Sequence, residues 1–296
     1  MSSTSPATAA SEQRVALACL IFGGIAIGAS PIFVRLSEIG PIATGFWRLA
    51  LALIPICLWA MFSPEKPKAT PVTWQDSLLL VLPGLALAID LVAWHLALHM
   101  TSVANATLLA NVAPVFVTII GWILFKTAVT RIFLLGLALA IFGVVVLKGG
   151  PAALGDGQLA GDSIAVLAAA FYACYILAIG RLRSRFTTIR IMIWSSASAA
   201  LAILPFAIFF EGEILPQSLY GWAIVAGLAF ISHAGGQVAI AYALAYLPAA
   251  FSSLTLLLQP VVAAILAWWI LAEAVTPLQM VGGIIVLIGI LVARRG

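Results

Sequence analysis

The sequence predicts an all-α polytopic membrane protein, with ten transmembrane helices arranged as two inverted five-helix repeats around a central cavity. Three observations predict this fold class: the composition, the length of the apolar segments and an internal repeat. Of 296 residues, 64% are hydrophobic and 8% are charged, and the mean hydropathy is +1.19. A chain with so little polar surface cannot cover a water-soluble globule, so it belongs in a bilayer.

Ten apolar segments are long enough to cross a membrane, since roughly 20 mostly apolar residues span about 30 Å. They are about twice as long as barrel strands and show no alternation, so each is predicted to be a helix. The segments run approximately over residues 15–36, 41–62, 77–99, 103–125, 129–148, 160–181, 188–210, 218–242, 248–271 and 277–294.

An internal repeat relates the two halves, because similar residues recur 146 positions apart, as Pro114 and Pro260 do. The matching residues are Pro114/Pro260, Trp122/Trp268, Ala128-Val129-Thr130/Ala274-Val275-Thr276, Gly136/Gly282 and Gly143/Gly289. A proline, a tryptophan and a tripeptide at one offset are poorly explained by chance. The glycines, seven residues apart, are predicted to allow close helix packing.

Each half holds five segments, so the second copy enters the membrane from the opposite side, and such inverted halves suit alternating access. We expect a disordered tail at residues 1–13, a first repeat at 14–150 and a second repeat at 151–296. With the N-terminus inside, only Arg35 and Lys148 of the 14 basic residues lie outside, while Arg48 lies within a segment. This predicts that both termini are cytoplasmic, and we expect a bacterial inner-membrane location.

Two charged residues lie at a similar depth near the middle of their segments. Arg48 is in the second segment and Asp90 in the third. A central charge costs at least ~2.5–3.5 kcal/mol, so each should face a partner or a wet cavity. Arg48 would receive a substrate carboxylate and Asp90 a substrate amine or a coupled proton. The alternative is a structural ion pair between them.

Pro114 and Pro260 lie at mid-depth in the fourth and ninth segments. Proline removes a backbone donor and displaces the carbonyl four residues earlier, which makes a bent helix a frequent wall of a transport site. Asn111 and Gln259 lie close to these prolines along the chain. Their side chains would bind substrate or, alternatively, form hydrogen bonds between helices.

Aromatic residues complete the set of candidate binding residues. Trp94, Tyr172, Tyr175 and Tyr242 fall in segments predicted to surround the centre. A cavity with stacking faces, one cation and one anion suits an aromatic zwitterion or a flat organic cation. Ordinary packing is the alternative for each ring. His233, near the middle of the eighth segment, is expected to be a cavity or proton-linked residue.

The sequence has no motif that indicates catalysis. His95 and His99 are four residues apart, but no Glu follows His95 and no third metal ligand stands at a useful spacing. We therefore expect no catalytic residue, no metal, no cofactor and no nucleic-acid partner. An intramembrane enzyme is the less favoured functional class.

Several motifs carry a family resemblance: residues 98–116 and 243–261 around the two prolines, Phe46-Trp47-Arg48, and the joint from Ala272 to Pro277. Through them the chain resembles the EamA-type branch of the drug/metabolite transporter superfamily, and within it the YddG-type exporters. The likeness covers nearly the whole chain. One departure between the repeats is Thr127, which stands where the second repeat has Glu273.

The resemblance implies export of aromatic and other amino acids from a bacterial cell, through a central cavity between the halves. A carrier for organic cations or nucleoside-like metabolites is the alternative. We expect a monomer whose partners are a small-molecule substrate and membrane lipid. The source of energy is left open by the residues alone.

Overall fold

The computed structural model describes residues 6–62, 73–101, 103–149 and 159–296. In these ranges eight helices are long and apolar enough to cross a membrane, and two shorter apolar helices cover 131–147 and 277–293. The elements are α1 Pro6–Gly28, α2 Ser30–Leu36, α3 Pro41–Phe62, α4 Trp74–Met100, α5 Val103–Ala110, α6 Ala113–Phe125, α7 Arg131–Leu147, α8 Leu159–Leu182, α9 Thr188–Glu211, α10 Leu219–Gly227, π1 Leu228–Gln237, α11 Val238–Ala243, α12 Ala249–Thr255, α13 Leu258–Leu271 and α14 Pro277–Ala293. The predicted fold class is confirmed.

The chain differs from the prediction at its N-terminus. Helix α1 begins at Pro6, so residues 6–13, which we expected in a disordered tail, are helical. The remainder of that predicted tail lies outside the described residues. So do 63–72 of the first long connector, with Lys66 and Lys68, and most of the second connector.

Three of the predicted segments break next to a proline. Segment one divides at Ala29, ahead of Pro31, and segments four and nine divide just ahead of Pro114 and Pro260. Proline has no backbone N–H to continue the helix. The Leu256 carbonyl, which Pro260 displaces, accepts a hydrogen bond from the Gln259 backbone N–H at 2.9 Å. A shorter backbone bond thus satisfies that carbonyl inside the membrane.

The two proline-broken helices end in the same way. Lys126 after α6 and Ala272 after α13 both have a φ of 54°, the left-handed conformation that residues other than glycine seldom adopt. The next N–H bonds back into the helix in both: Thr127 to a carbonyl at 3.3 Å and Glu273 to a carbonyl at 3.2 Å. The backbones at Thr127 and Glu273 are therefore closely alike.

Helices α7 and α14 pack backbone to backbone. A Cβ added to Gly289 would lie 2.5 Å from the Ala140 nitrogen. Where the residue number rises by seven along one helix it falls by seven along the other, so the helices are antiparallel. The facing pairs are Gly136/Ala293, Ala140/Gly289, Gly143/Val286 and Leu147/Gly282. Exchanging the two repeats maps this set onto itself, so a pseudo-twofold axis passes through the seam, and the predicted packing role of the glycines is confirmed.

The other main contacts between the halves also occur in pairs that are related by exchanging the two repeats. Helix α4 packs against α8, and α1 packs against π1 and α11 in the equivalent place. Helix α3 packs against its counterpart α9, and α6 packs against α12. The centre of the molecule is consequently an interface built from both repeats.

Side chains that the sequence assigns to one membrane face contact each other. Arg35 pairs with Glu273 at the predicted outer face, and Arg185 pairs with Asp76 at 2.8 Å at the predicted inner face. Both pairs join the first half to the second. The ion pairs are therefore consistent with the predicted relative order of the faces.

At the predicted outer face, two further carboxylates each accept hydrogen bonds at the N-terminus of a helix in the opposite half. Glu211, at the end of α9, accepts backbone N–H bonds from Ile42 and Ala43 of α3 at 2.8 and 2.7 Å. Glu38 accepts a hydrogen bond from the Ser218 hydroxyl, just ahead of α10. It also accepts bonds from the backbone N–H groups of Gln217 and Ser218, each at 3.1 Å. These bonds hold the pKa of the Glu38 carboxyl below its usual value, and the bond from the Ser218 hydroxyl has the largest effect. The contact between Glu38 and the start of α10 therefore weakens only when the pH falls below the ordinary pKa of a glutamate.

The outward surface of the helix bundle is apolar. Trp122 and Trp268, which are repeat counterparts, are 60% and 57% exposed near the ends of α6 and α13. Aromatic rings at such positions are typical of the membrane interface. The outward surface of the bundle is therefore suited to contact with membrane lipid.

Substitution in the α7–α14 seam should separate packing from helix propensity. In Gly282→Ala the new methyl would lie 2.5 Å from the Leu147 Cα, whereas in Gly283→Ala it would lie 3.5 Å from Val261, an ordinary contact. We expect Gly282→Ala to lower the free energy of unfolding by about 1–3 kcal/mol. We expect Gly283→Ala to be neutral or to raise it by up to about 1 kcal/mol. Denaturant unfolding in detergent micelles measures both, and equal effects would contradict a backbone seam.

Candidate functional site

Two adjoining cavities lie between the halves. The outer cavity, of about 370 Å³, is lined by Arg48 of α3, Trp94 of α4 and Pro260 of α13. It extends to Arg35 and Lys148, at the predicted outer face. Its volume is within the range of small-molecule sites.

The central cavity, of about 210 Å³, is lined by Asp90 of α4, Pro114 of α6 and Tyr172 of α8. It shares Trp94, Asn111 and Gln259 with the outer cavity, among other residues. The two cavities are thus continuous along these side chains. The structure brings eight of the candidate residues to their walls: Arg48, Asp90, Trp94, Asn111, Pro114, Tyr172, Gln259 and Pro260.

Arg48 and Asp90 face these cavities without a partner among the described residues. They lie within electrostatic reach of each other but form neither a salt bridge nor a hydrogen bond, with each other or with another described side chain. The predicted alternative of a direct ion pair is thus not formed. Charges held in a membrane interior need water or a ligand when the protein supplies no counter-charge.

Buried donors without partners lie beside the two charges. The Tyr175 hydroxyl and the amide nitrogens of Gln237 and Gln259 form no hydrogen bond of normal length and angle with a described residue, although Gln237 lies close to both tyrosine hydroxyls. Tyr175 is fully buried and Gln237 is 3% exposed, and both glutamines lie near Tyr172. An unsatisfied buried donor costs about 1–3 kcal/mol. A cluster of them is the kind of place that a polar ligand stabilises.

Two of the candidate aromatic side chains, Trp94 and Tyr172, line the walls. The candidate Tyr175 is fully buried and lines neither cavity, but its ring stacks on Tyr172 with centroids 6.0 Å apart. Trp94 packs edge-on against His95 at 5.1 Å, and His95 Nδ1 lies 2.6 Å from the Leu91 carbonyl oxygen. These contacts hold Tyr172 and Trp94 at the cavity surface.

His233 lies behind the wall of the outer cavity. Its Nε2 is 2.8 Å from the Ser196 hydroxyl, it is 1% exposed, and it lies within electrostatic reach of Arg48. The histidine lines neither cavity. Its place is next to a wall residue, in contact with α9.

Tyr242 is the candidate that the structure places elsewhere. Its ring packs on Tyr246 with centroids 5.1 Å apart, and it lies near Cys19 on α1. It lines neither the outer nor the central cavity. The ring is a candidate because its segment is predicted to surround the centre, but Tyr242 is at the end of that segment, nearer the predicted inner face.

Sequence reasoning missed Gln237 and the π-helical segment that carries it. Segment π1 contains Gly235 and Gly236, and a Cβ on Gly236 would lie 2.9 Å from Ile27 of α1. The wider π turn is common at functional sites. The available signal was this glycine pair among Ser232, His233 and Gln237 in an otherwise apolar segment.

A third cavity, the inner cavity, lies at the opposite end and has a volume of about 710 Å³. Arg14, Arg181 and Arg294 line it, and it shares no lining residue with the other two cavities. On α6 the central cavity reaches Pro114 and the inner cavity reaches Val117. About one helical turn separates the two spaces.

Comparisons with known proteins agree with this architecture. The model of the EamA-like transporter family matches residues 14–148 and 159–295. An uncharacterized transporter of Archaeoglobus fulgidus is 25% identical over 288 residues, 96% of this chain and 97% of that protein. A protein of Streptantibioticus cattleyicolor named "Probable terminal-alkyne amino-acid exporter" is 30% identical over 200 residues, 64% of each chain. One crystal structure has a TM-score of 0.76 at 18% identity, covering 98% of this chain and 99% of that chain, and shows the fold alone.

Removing the unpartnered hydroxyl of Tyr175 should not destabilise the protein. In Tyr175→Phe we expect the free energy of unfolding without ligand to change by less than about 1 kcal/mol, because the hydroxyl lies near the Gln237 side chain but forms no hydrogen bond of normal geometry with it. Tyr220→Phe, at a ring that is 56% exposed, is the matched control and should change nothing. A loss of more than about 1 kcal/mol for Tyr175→Phe, in the same detergent assay, would mean that the hydroxyl has a partner.

Proposed function

This chain belongs to the EamA-like transporter family, and from that premise we propose that it exports amino acids, aromatic ones among them, across the bacterial inner membrane. The family and the apolar helices identify a multi-pass membrane transporter. The name of the Streptantibioticus relative supports the amino-acid class. The arrangement of charges at the cavities is the main support for the substrate.

The observation that carries the proposal is the pair of unpartnered opposite charges on adjoining cavity walls. Arg48 lines the outer cavity and Asp90 the central cavity. A guanidinium binds a carboxylate through two parallel hydrogen bonds, and a carboxylate binds an ammonium group. An amino-acid zwitterion supplies both counter-charges at once, so neither protein charge stays unpaired in the membrane.

The walls also suit an aromatic side chain. Trp94 lines both cavities and Tyr172 lines the central one, so a flat ring has stacking faces within reach. The amide nitrogens of Gln237 and Gln259 have hydrogens to donate to a carboxylate. Smaller amino acids would use the charges without the rings.

We further propose that transport proceeds by alternating access, with both termini cytoplasmic. In this form the outer cavity joins the central one, whereas about one helical turn separates the central and inner cavities. The two repeats are related by a pseudo-twofold axis, so exchanging their conformations opens the inner side instead. The breaks at Pro114 and Pro260 lie beside the site, where the helices have the fewest backbone bonds to resist bending.

An exporter of organic cations is the second candidate, favoured by one observation. Asp90 and Trp94 line the same cavity, and a carboxylate beside an aromatic face is a site for a flat or quaternary cation. Such a substrate would leave Arg48 without a function in binding. The two candidates therefore differ in whether transport depends on Arg48.

Counterflow of labelled tryptophan in proteoliposomes tests the charge assignment. We expect Arg48→Gln and Asp90→Asn each to weaken apparent affinity about 10- to 100-fold, since a hydrogen bond to a charged group contributes about 1.5–3 kcal/mol. Competing ligands show which group of the substrate each protein charge binds. Tryptamine, which lacks the carboxylate, should compete for the wild-type protein much less well than unlabelled tryptophan, and Arg48→Gln should remove the difference. Indole-3-propionate, which lacks the amine, should likewise compete for the wild-type protein much less well than tryptophan, and Asp90→Asn should remove that difference.

Arg131→Gln is the control for this experiment, because Arg131 is exposed at the start of α7 and lines none of these cavities. It removes one positive charge and should leave counterflow unchanged. Competition by a quaternary ammonium compound that depends on Asp90 and not on Arg48 would favour the organic-cation candidate. Absence of saturable exchange with any amino acid would reject the substrate class.

A further inference from the structure

The inner cavity is the repeat counterpart of the outer cavity. Five residues that line the outer cavity have counterparts, one repeat length away, that line the inner cavity. The pairs are Pro31/Leu177, Val34/Gly180, Arg35/Arg181, Lys148/Arg294 and Ala263/Val117. Each cavity thus has two basic residues in equivalent places, one from the first or sixth membrane segment and one from the fifth or tenth.

One difference between the repeats makes the two cavities electrostatically unlike. At the outer cavity Arg35 pairs with Glu273. The residue equivalent to Glu273 is Thr127, which lines the inner cavity together with Arg181. Because the backbones at Thr127 and Glu273 are closely alike, the inner arginine lacks a carboxylate through side-chain chemistry and not through a different loop shape.

Arg181 has a different environment as a result. Its guanidinium lies 4.4 Å from the centre of the Phe125 ring and forms no salt bridge with a described residue. Arg14 and Arg294 line the same cavity, and no aspartate or glutamate side chain is among its lining residues. Three like charges around one concave space attract anions and raise their local concentration.

The remaining walls determine which anions fit. Phe125, Tyr246 and Phe251 supply ring faces, and Thr130 supplies a hydroxyl group. The volume of about 710 Å³ accommodates a molecule with one aromatic ring system. Carboxylate binding by arginine and stacking by the rings are therefore available in one place.

We propose that the inner cavity is a second binding site, for aromatic carboxylates, and that the equivalent position at Arg35, in the outer cavity, is not such a site because Glu273 neutralises Arg35. The assignment deepens the proposed function: the inner cavity is where an exported aromatic amino acid first binds, through its carboxylate. The site would raise the local concentration of the substrate at the inner mouth, while the gradients of the substrate and of any coupled ion still set the direction of net transport. The anion site itself, however, requires no amine on the ligand.

Equilibrium binding of labelled indole-3-propionate to purified protein in phosphatidylcholine nanodiscs tests the proposal. We expect Arg181→Gln and Thr127→Glu each to weaken binding about tenfold, the latter by copying the outer ion pair onto the inner cavity. Thr127→Gln, which has the same length without the charge, should weaken binding at least threefold less than Thr127→Glu. Arg131→Gln, on the same face and outside the cavity, should leave binding unchanged. Wild-type affinity in both Arg181→Gln and Thr127→Glu would overturn the assignment.

Two further arms identify the ligand and its place. If Arg48→Gln removes binding and Arg181→Gln does not, the probe occupies the outer cavity and the inner site is rejected. If phosphatidylglycerol in the nanodiscs displaces the probe completely, the inner cavity is a lipid headgroup site, which also contradicts a substrate role. Probe binding that depends on Arg181, in a protein that exchanges no amino acid, would reject only the proposed transport substrate. Tryptophan counterflow with unchanged affinity in Thr127→Glu would reject only the inner site.

Discussion

Polar groups inside a bilayer must find partners within the protein, since lipid offers none. This constraint explains contacts made inside the helix bundle: the Thr118 hydroxyl donates to the Pro114 carbonyl at 2.7 Å, and the Ser232 hydroxyl donates to the Ala26 carbonyl at 2.8 Å. Arg48 and Asp90 at the cavity walls have no such bond among the described residues. Several buried donors near Tyr172 also lack one, as do the Thr188 and Ser252 hydroxyls elsewhere in the bundle. The two charges at the cavity walls are what mark the candidate site, because a charge costs more than a hydroxyl when it is left without a partner.

The duplicated architecture explains why the molecule has a cavity at each end. Every main contact between the halves has a counterpart under exchange of the repeats, so a space opened by one repeat is reproduced by the other. Departures from the symmetry make the two ends differ. Segment π1, which contains Gln237, has no equivalent in α4, its counterpart in the first half. Thr127 in place of Glu273 changes the charge balance of the inner cavity, while the backbone at this position stays alike in the two repeats.

Rigid and bendable parts of the fold are separated in space. Helices α7 and α14 touch through their backbones, where each glycine lies directly against the backbone of a residue on the other helix and leaves no space for a side chain between them. The proline-broken helices α5–α6 and α12–α13 border the central cavity instead. A carrier that changes its accessible side needs both properties, a seam that keeps the halves in register and walls that bend beside the site.

Length and hydropathy alone predicted the membrane segments closely, and α3 has the expected limits of 41–62. Hydropathy is a local property that can be read along the chain, and a segment needs little more than sufficient length and apolar composition to cross a membrane as a helix. The seven-residue glycine spacing predicted the seam, because a fixed repeat along a helix places residues on one face. Counting along each segment also predicted a similar depth for Arg48 and Asp90, and the structure puts them on the walls of adjoining cavities.

Only the tertiary structure decided which of these residues meet. It left Arg48 and Asp90 without a salt bridge, placed Tyr242 beside Tyr246 and away from the cavities, and put Gln237, which is part of a π turn, next to Tyr172. These outcomes depend on the rotation of each helix about its axis and on distances between residues far apart in the chain. Packing against neighbouring helices sets both, and a pattern read along one helix contains neither.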